Sequence, residues 1–187
     1  MSSVNNNDNS SNTVEKLIKC INFAAIKHKD QRRLDPENTP YINHPIGVAY
    51  ILTEEAKVTD IDVIQAAILH DTVEDTKTTF EEIETHFGSK VCSIVAEVTD
   101  DKTLPKETRK ALQIEHAPTS SREAKLVKLA DKLYNLRDLE RAVPRKWTVD
   151  RVQQYFCWSK KVVDGLRGTN KCMEDNLDCL FKKRNVD

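Results

Sequence analysis

The segment from Thr59 to Asp75 constrains this chain more than any other. Val63, Ile64, Ala66, Ala67, Ile68 and Leu69 are apolar nearly all round a helix, and the run leads straight into His70-Asp71 and then Glu74-Asp75. A helix apolar on every face is stable only when other elements surround it. The chain offers few turn residues for hairpins, with four glycines and six prolines in 187 residues, and its hydrophobic residues recur elsewhere at spacings of three and four. The enclosing walls must therefore be helices, and the expected fold is all-α, a compact single bundle of about eight to ten helices.

Start and stop signals divide the chain. Val14, Leu17, Ile18, Ile21 and Ala25 form one stripe of a first helix, which should open near Asn12 or Thr13 with Glu15 as capping partner and end near Asp30. Gln31 to Asn43 is polar and contains prolines, so it reads as an ordered loop, after which Pro45 opens a helix from Ile46 to about Ala56. Thr59 with Asp62, Thr79 with Glu82 and Ser120 with Glu123 are capping pairs, and Thr148 and Asn170 are starts for the last two helices. Gly88 punctuates the middle of the chain, Val91 to Val98 continues the helical pattern, and Thr99 to Lys106 is a charged loop.

Several classes of function are disfavoured. Lys and Arg number 29 against 30 Asp and Glu, so the net charge is −1 and bulk attraction to nucleic acid is weak. The longest apolar stretch, Ile46 to Leu52, falls far short of the roughly 20 residues of a membrane helix. Residues 1–12 are rich in Ser and Asn with no apolar core, so they read as a disordered tail and not as a signal peptide, leaving residues 13–187 as one domain and the cytosol as the expected compartment. The five cysteines make no C-x-x-C pair, which argues against disulfides and a thiolate zinc site.

Chemistry concentrates where the apolar helix ends. On a continuing helix Glu74 shares a face with His70, and Asp75 lies one turn beyond Asp71. Three carboxylates at a helix C-terminus repel one another and the dipole, a conflict that a bound cation resolves. His44, just before Pro45, and Asp131, within Leu129-Ala-Asp-Lys-Leu-Tyr-Asn-Leu136, are candidates to complete such a site. Asp131 points nearly opposite the core stripe Leu126, Leu129, Leu133 and Leu136, but Val127, Ala130 and Tyr134 flank it. Periodicity alone leaves it either solvated or in a buried site.

Tyr41-Ile-Asn-His-Pro45, Leu69-His-Asp-Thr-Val-Glu-Asp-Thr76 and Lys128-Leu-Ala-Asp-Lys-Leu-Tyr-Asn-Leu-Arg137 together resemble the signature of HD-superfamily phosphohydrolases. More narrowly, they are similar to the hydrolase domain of the RelA/SpoT stringent-response enzymes, in a stand-alone length. The resemblance spans about Phe23 to Arg167. It implies one Mn2+ held by His44, His70, Asp71 and Asp131, with Glu74 and Asp75 orienting and deprotonating a water. Imidazole and carboxylate donors suit such an ion, which can lower the pKa of bound water.

The resemblance further implies cleavage of the 3′-diphosphate of guanosine 3′,5′-bis(diphosphate), ppGpp, with NADPH 2′-dephosphorylation or a degenerate nucleotide-binding domain as alternatives. Two basic clusters, Lys27-Lys29-Arg32-Arg33 and Lys102-Lys106, are candidates to hold the anionic substrate. Within them Arg33 suits a bidentate or stacking contact with nucleotide and Lys106 a point-charge contact; Asn135 and Tyr155 match positions that contact nucleotide in the family, whereas Leu34 stands where relatives carry a second basic residue. His28 falls on the apolar stripe of the first helix and reads as a core or supporting histidine, while His86 and His116 end helices and face water.

Overall fold

The structure is a computed structural model and describes residues 6–186. It is all-α: α1 (Asn6–Lys27), α2 (Asn43–Tyr50), α3 (Ile61–Leu69), the single turn α4 (Thr72–Asp75), α5 (Phe80–Phe87), α6 (Ser89–Val98), α7 (Lys106–His116), α8 (Arg122–Arg141), α9 (Val149–Leu166) and α10 (Lys171–Lys183). Among the described residues the only β-type pairing is an isolated bridge between Arg32 and Pro40.

α3 sits at the centre, packed against α1, α2, α6 and α8, and every residue from Val63 to Leu69 is buried. Gln65, the one polar residue among them, donates from Nε2 to the Lys16 carbonyl at 3.3 Å. α8 is the second axis. Leu126, Leu129, Leu133 and Leu136 are buried along one stripe, Val127 and Ala130 off it, because α2, α3 and α6 pack on this helix as well as α9 and α10. Each such leucine contributes about 1.5–3 kcal/mol relative to exposure.

The helix boundaries refine the expectations. α1 runs back to Asn6, so the boundary expected at residue 12 falls inside a helix, and residues 1–5 lie outside the described residues. Extending a formed helix costs far less than nucleating one, and the face packed on α3 supplies the nucleus: Cys20 and Ala24 are buried there with Leu17 and Ile21 beside them, whereas Val14 and Ile18 of the expected stripe are exposed. α2 opens at Asn43, two residues before Pro45, since the first helical N–H groups need no intrahelical acceptor and proline fits there. It continues as a wide π-type turn over Ile51–Glu55, where the Ala56 amide donates to the Ile51 carbonyl at 3.0 Å. Asp60 and not Thr59 caps α3, its carboxylate accepting from the Asp62 amide at 2.9 Å. Ser121 and not Ser120 caps α8, while the Ser120 hydroxyl bonds the His116 carbonyl at 3.1 Å. Thr79, Thr148 and Asn170 cap as expected.

Two details position the site. The loop after α1 closes on itself: the Tyr41 amide donates to the Gln31 carbonyl at 3.1 Å and the Arg33 amide to the Thr39 carbonyl at 2.8 Å. At the crossing of α2 and α8, Gly47 lies under the ring of Tyr134, where a Cβ would come within 1.9 Å of Cε2.

Candidate active site

His44 comes from the first turn of α2, His70 caps the C-terminus of α3, Asp71 precedes α4, and Asp131 comes from α8. The His44 and His70 Nε2 atoms are 3.2 Å apart. Asp71 Oδ2 is 3.5 Å from His44 Nε2 and 3.0 Å from His70 Nε2, and Asp131 Oδ1 is 3.2 and 3.7 Å from the same two atoms. The donor atoms of His44, His70 and Asp131 all lie within 4.8 Å of one another. α8's neighbours on both sides explain why Asp131 is drawn inward although it opposes the leucine stripe.

The surroundings orient three of the four. His70 Nδ1 lies 2.7 Å from the Ala67 carbonyl, which only an N–H at that nitrogen can satisfy, so in the neutral ring the lone pair is on Nε2. Tyr41 donates its hydroxyl to Asp71 Oδ2 at 2.6 Å. Asn135 donates to Asp131 Oδ1 at 2.7 Å, and Lys132 pairs with Oδ2 at 2.9 Å. His44 has no such support: its Nδ1 is buried without a partner among the described residues, and packing sets its ring, edge-on to Tyr134 at 4.9 Å, His70 at 5.1 Å and Tyr41 at 5.7 Å. Burial opposes every charge here, yet His70 and His44 beside it hold Asp71 well below the usual carboxylate range, and Lys132 with both histidines does the same for Asp131. The two carboxylates in turn raise His70. The cluster thus carries anionic groups inside the protein and suits a positive centre.

Glu74 and Asp75 flank this cluster with different partners. Burial, then the charges of Asp71 and Asp100, push Glu74 up to about 7, while Glu74 accepts from the Asp100 amide at 3.3 Å and meets Arg109 Nη1 at 3.5 Å. Asp75 is held at both oxygens, by Gln31 Nε2 at 2.8 Å and by Lys102. A cavity of about 460 Å3 reaches His70, Asp71, Glu74 and Asp131 and is walled by Arg109 and Lys128.

A second cavity, of about 430 Å3, is lined by Arg33, Tyr41, Asn135, Trp147 and Tyr155. Arg33 donates there to Asn135 Oδ1 at 2.9 Å and pairs with Asp138 at 2.7 Å. Lys106 is apart from that lining. It stands exposed at the start of α7, not in the loop expected there, and lines an adjoining cavity that shares Trp147 and Tyr155. The two basic clusters are only partly at these cavities. Lys27 faces α5 and pairs with Glu82 at 2.7 Å, and Lys102 is engaged by Asp75. A side chain's neighbour decides this, and charge counting along the chain does not carry that information.

The HD domain family matches residues 20–155. The chain belongs to the HD-domain family. It is 64% identical over 170 residues to the Xenopus tropicalis protein named guanosine-3′,5′-bis(diphosphate) 3′-pyrophosphohydrolase MESH1, covering 91% of this chain and 95% of that one. The Homo sapiens protein of the same name is also 64% identical, over 171 residues, covering 91% and 96%. A solved structure of a metazoan ortholog of SpoT, described as hydrolysing ppGpp and acting in starvation responses, superimposes with a TM-score of 0.90 at 56% identity, covering 92% of this chain and 97% of that one.

The donor set of this HD domain fits a divalent metal. Ligand atoms about 2.0–2.2 Å from a common ion stand roughly 3 Å or a little more apart, which is the spacing seen between the imidazole nitrogens and carboxylate oxygens. Residues that sequence reasoning passed over also belong to the site: Tyr41 on Asp71, Lys132 on Asp131, Gln31 on Asp75 and Arg109 on Glu74. The first two lie inside the quoted motifs, so their position was signalled without their role. Arg109 carries no signal in the sequence, being one of several charged residues on an amphipathic helix. His86 and His116 are exposed and His28 is buried at 2% exposure. All five cysteines are free thiols, and no helix of the described residues is long and apolar enough to cross a membrane.

Proposed function

We propose that this chain is a Mn2+-dependent hydrolase that converts ppGpp and water to GDP and pyrophosphate, with residues 13–187 as the working domain. The observation that carries the reading is the convergence of His44 Nε2, His70 Nε2, Asp71 Oδ2 and Asp131 Oδ1 from three separate parts of the chain. Support comes from relatives that bear the name of this activity and match along nearly their whole length. Two nitrogens and two carboxylate oxygens suit Mn2+, which when bound supplies a Lewis acid for a phosphoryl oxygen and a water of lowered pKa.

In this reading the chain's own groups do the rest. Glu74, with an affinity for protons matched to neutral pH, takes the proton from the attacking water, and Asp75 orients that water. The new bond forms from water oxygen to the phosphorus on O3′, the P–O3′ bond breaks, and the 3′-oxygen receives a proton. Arg33, Asn135 and Tyr155 hold the nucleoside in the aromatic cavity, the guanidinium giving a planar contact, and Lys106 meets phosphate as a point charge at its edge.

The test is an assay of the purified chain with Mn2+ on ppGpp and NADPH side by side. Release of pyrophosphate and GDP, abolished by chelation, is expected. Release of phosphate from NADPH with ppGpp left intact would replace the substrate while keeping the site, and turnover of neither would refute the enzymatic reading.

A further inference from the structure

His28 lies just past the end of α1, buried to 2% exposure, and the reaction as described makes no use of it. Its Nδ1 is 2.6 Å from Gln31 Oε1, and Gln31 Nε2 donates to Asp75 Oδ2 at 2.8 Å. Hydrogen-bond chemistry fixes the direction of this chain. An ionised carboxylate only accepts, so the Gln31 amide must turn its NH2 to Asp75 and its oxygen to His28. That oxygen only accepts, so His28 must carry its proton on Nδ1. Its other nitrogen, Nε2, is then a bare acceptor, and it is buried with no partner among the described residues.

A histidine kept only for packing would not leave a buried acceptor unsatisfied, since a leucine or phenylalanine fills such space without that penalty. The ring also lies tilted against that of Tyr41, centroids 5.0 Å apart, and the Tyr41 hydroxyl holds Asp71 at 2.6 Å. Because the Tyr41 amide donates to the Gln31 carbonyl, one closed loop carries the supports of Asp71 and Asp75 side by side, and His28 lies under both.

We propose that His28 and Gln31 are positioning residues for the hydrolysis: the directed sequence His28 Nδ1–H, Gln31 amide, Asp75 Oδ2 fixes the rotamer of Asp75 so that its carboxylate faces the attacking water. Lys102 fixes the other oxygen, so the two donors together leave the carboxylate one orientation. This rests on the assignment of Asp75 to the water, and the two can fail separately.

The experiment is a double-mutant cycle on the Mn2+-loaded protein with ppGpp. Gln31→Leu and His28→Leu should each lower kcat about 10- to 100-fold, the scale of a misplaced catalytic group, with KM and Mn2+ stoichiometry little changed. His28→Asn, whose amide N–H replaces Nδ1–H, should restore most of that loss. In an Asp75→Ala background Gln31→Leu should change kcat less than about twofold, because the group it acts through is gone. Should Gln31→Leu fail to fold, the isosteric Gln31→Glu sets an acceptor against Asp75 and should lower kcat at least as far. Full activity in Asp75→Ala would remove the role of Asp75. Full activity in Gln31→Glu, equal losses in His28→Asn and His28→Leu, or an undiminished Gln31→Leu effect on top of Asp75→Ala would overturn the positioning role.

Discussion

Gly47→Ala tests whether helix packing aligns the metal ligands. The new Cβ would lie 1.9 Å from Tyr134 Cε2, 2.6 Å from Cδ2 and 2.9 Å from Cζ, so the ring or the helix must move. The ring has little freedom, with His44 against one edge at 4.9 Å and the guanidinium groups of Arg33 and Arg141 over it at 5.8 and 5.9 Å. Overpacking of this kind costs about 1–3 kcal/mol, and alanine's better helix propensity returns about 1 kcal/mol. The net loss, up to about 2 kcal/mol, should lower Tm by as much as roughly 8 °C in a chain of this size. Since packing orients His44, whose Nδ1 has no partner among the described residues, Mn2+ affinity should fall about tenfold, the lower end of what lost ligand support does. Calorimetric melting and Mn2+ titration read both effects. In a Tyr134→Ala background the sign should reverse, Gly47→Ala then raising stability by about 0.5–1 kcal/mol. If Gly47→Ala raised Tm in the unaltered protein, or acted identically with and without the tyrosine ring, the packing account of His44 would be wrong.

Asp131→Ala should lose the bound equivalent of Mn2+, measured by metal analysis after dialysis, and retention of a full equivalent with normal turnover would remove Asp131 from the ligand set. Glu74→Gln should keep metal and substrate binding yet turn over roughly 10²- to 10⁴-fold more slowly; calorimetry showing loss of metal would place Glu74 among the ligands instead. As a base Glu74 must be ionised, so kcat should rise with pH about a midpoint near 7 and level off above it, and this limb should vanish in Glu74→Gln. The same shift acts oppositely on folding: between the ordinary 4.5 and about 7 the folded chain keeps a proton that the unfolded chain releases, so metal-free stability should fall as pH rises through that window. Leu34, 71% exposed at the aromatic cavity, should give a modest gain in kcat/KM at low salt when changed to Lys, under about 1 kcal/mol and erased by added salt; no salt-dependent change would take this loop away from the substrate.

Much of the fold was legible because helix periodicity and capping are local. The all-round apolar run from Val63 to Leu69 required a central helix and became one. Capping pairs erred by a single residue where two candidates stood together, as at Thr59-Asp60 and Ser120-Ser121, since spacing does not say which oxygen reaches the amide. Asp131 was undecidable for a different reason. Its position opposite the leucines specifies a face of α8 but not whether another helix lies there, and that depends on α2 and α3, more than 50 residues earlier in the chain. The supports of Asp71 and Asp75 were hidden in the same way, because Gln31 and Tyr41 read as loop residues until the loop folds back on α4. Lys27 and Lys102, grouped with the substrate's cations by sequence, are committed to Glu82 and Asp75.

The wide turn at Ile51–Glu55 makes one stretch of this chain tolerant of length change. A π-type turn holds one residue more than an α-turn does while keeping the flanking helix in phase. Deleting one residue there lets the backbone relax to ordinary α geometry, with His44 still facing α3. The same deletion within Ile61–Leu69 would turn everything beyond it by about 100°, one residue's share of an α-turn, and swing His70 and Asp71 off the ligand cluster. Length variation among chains with this site should therefore gather between Tyr50 and Ala56 and be absent from α3, and a single-residue deletion scan across both segments, scored by bound Mn2+, would display that contrast directly.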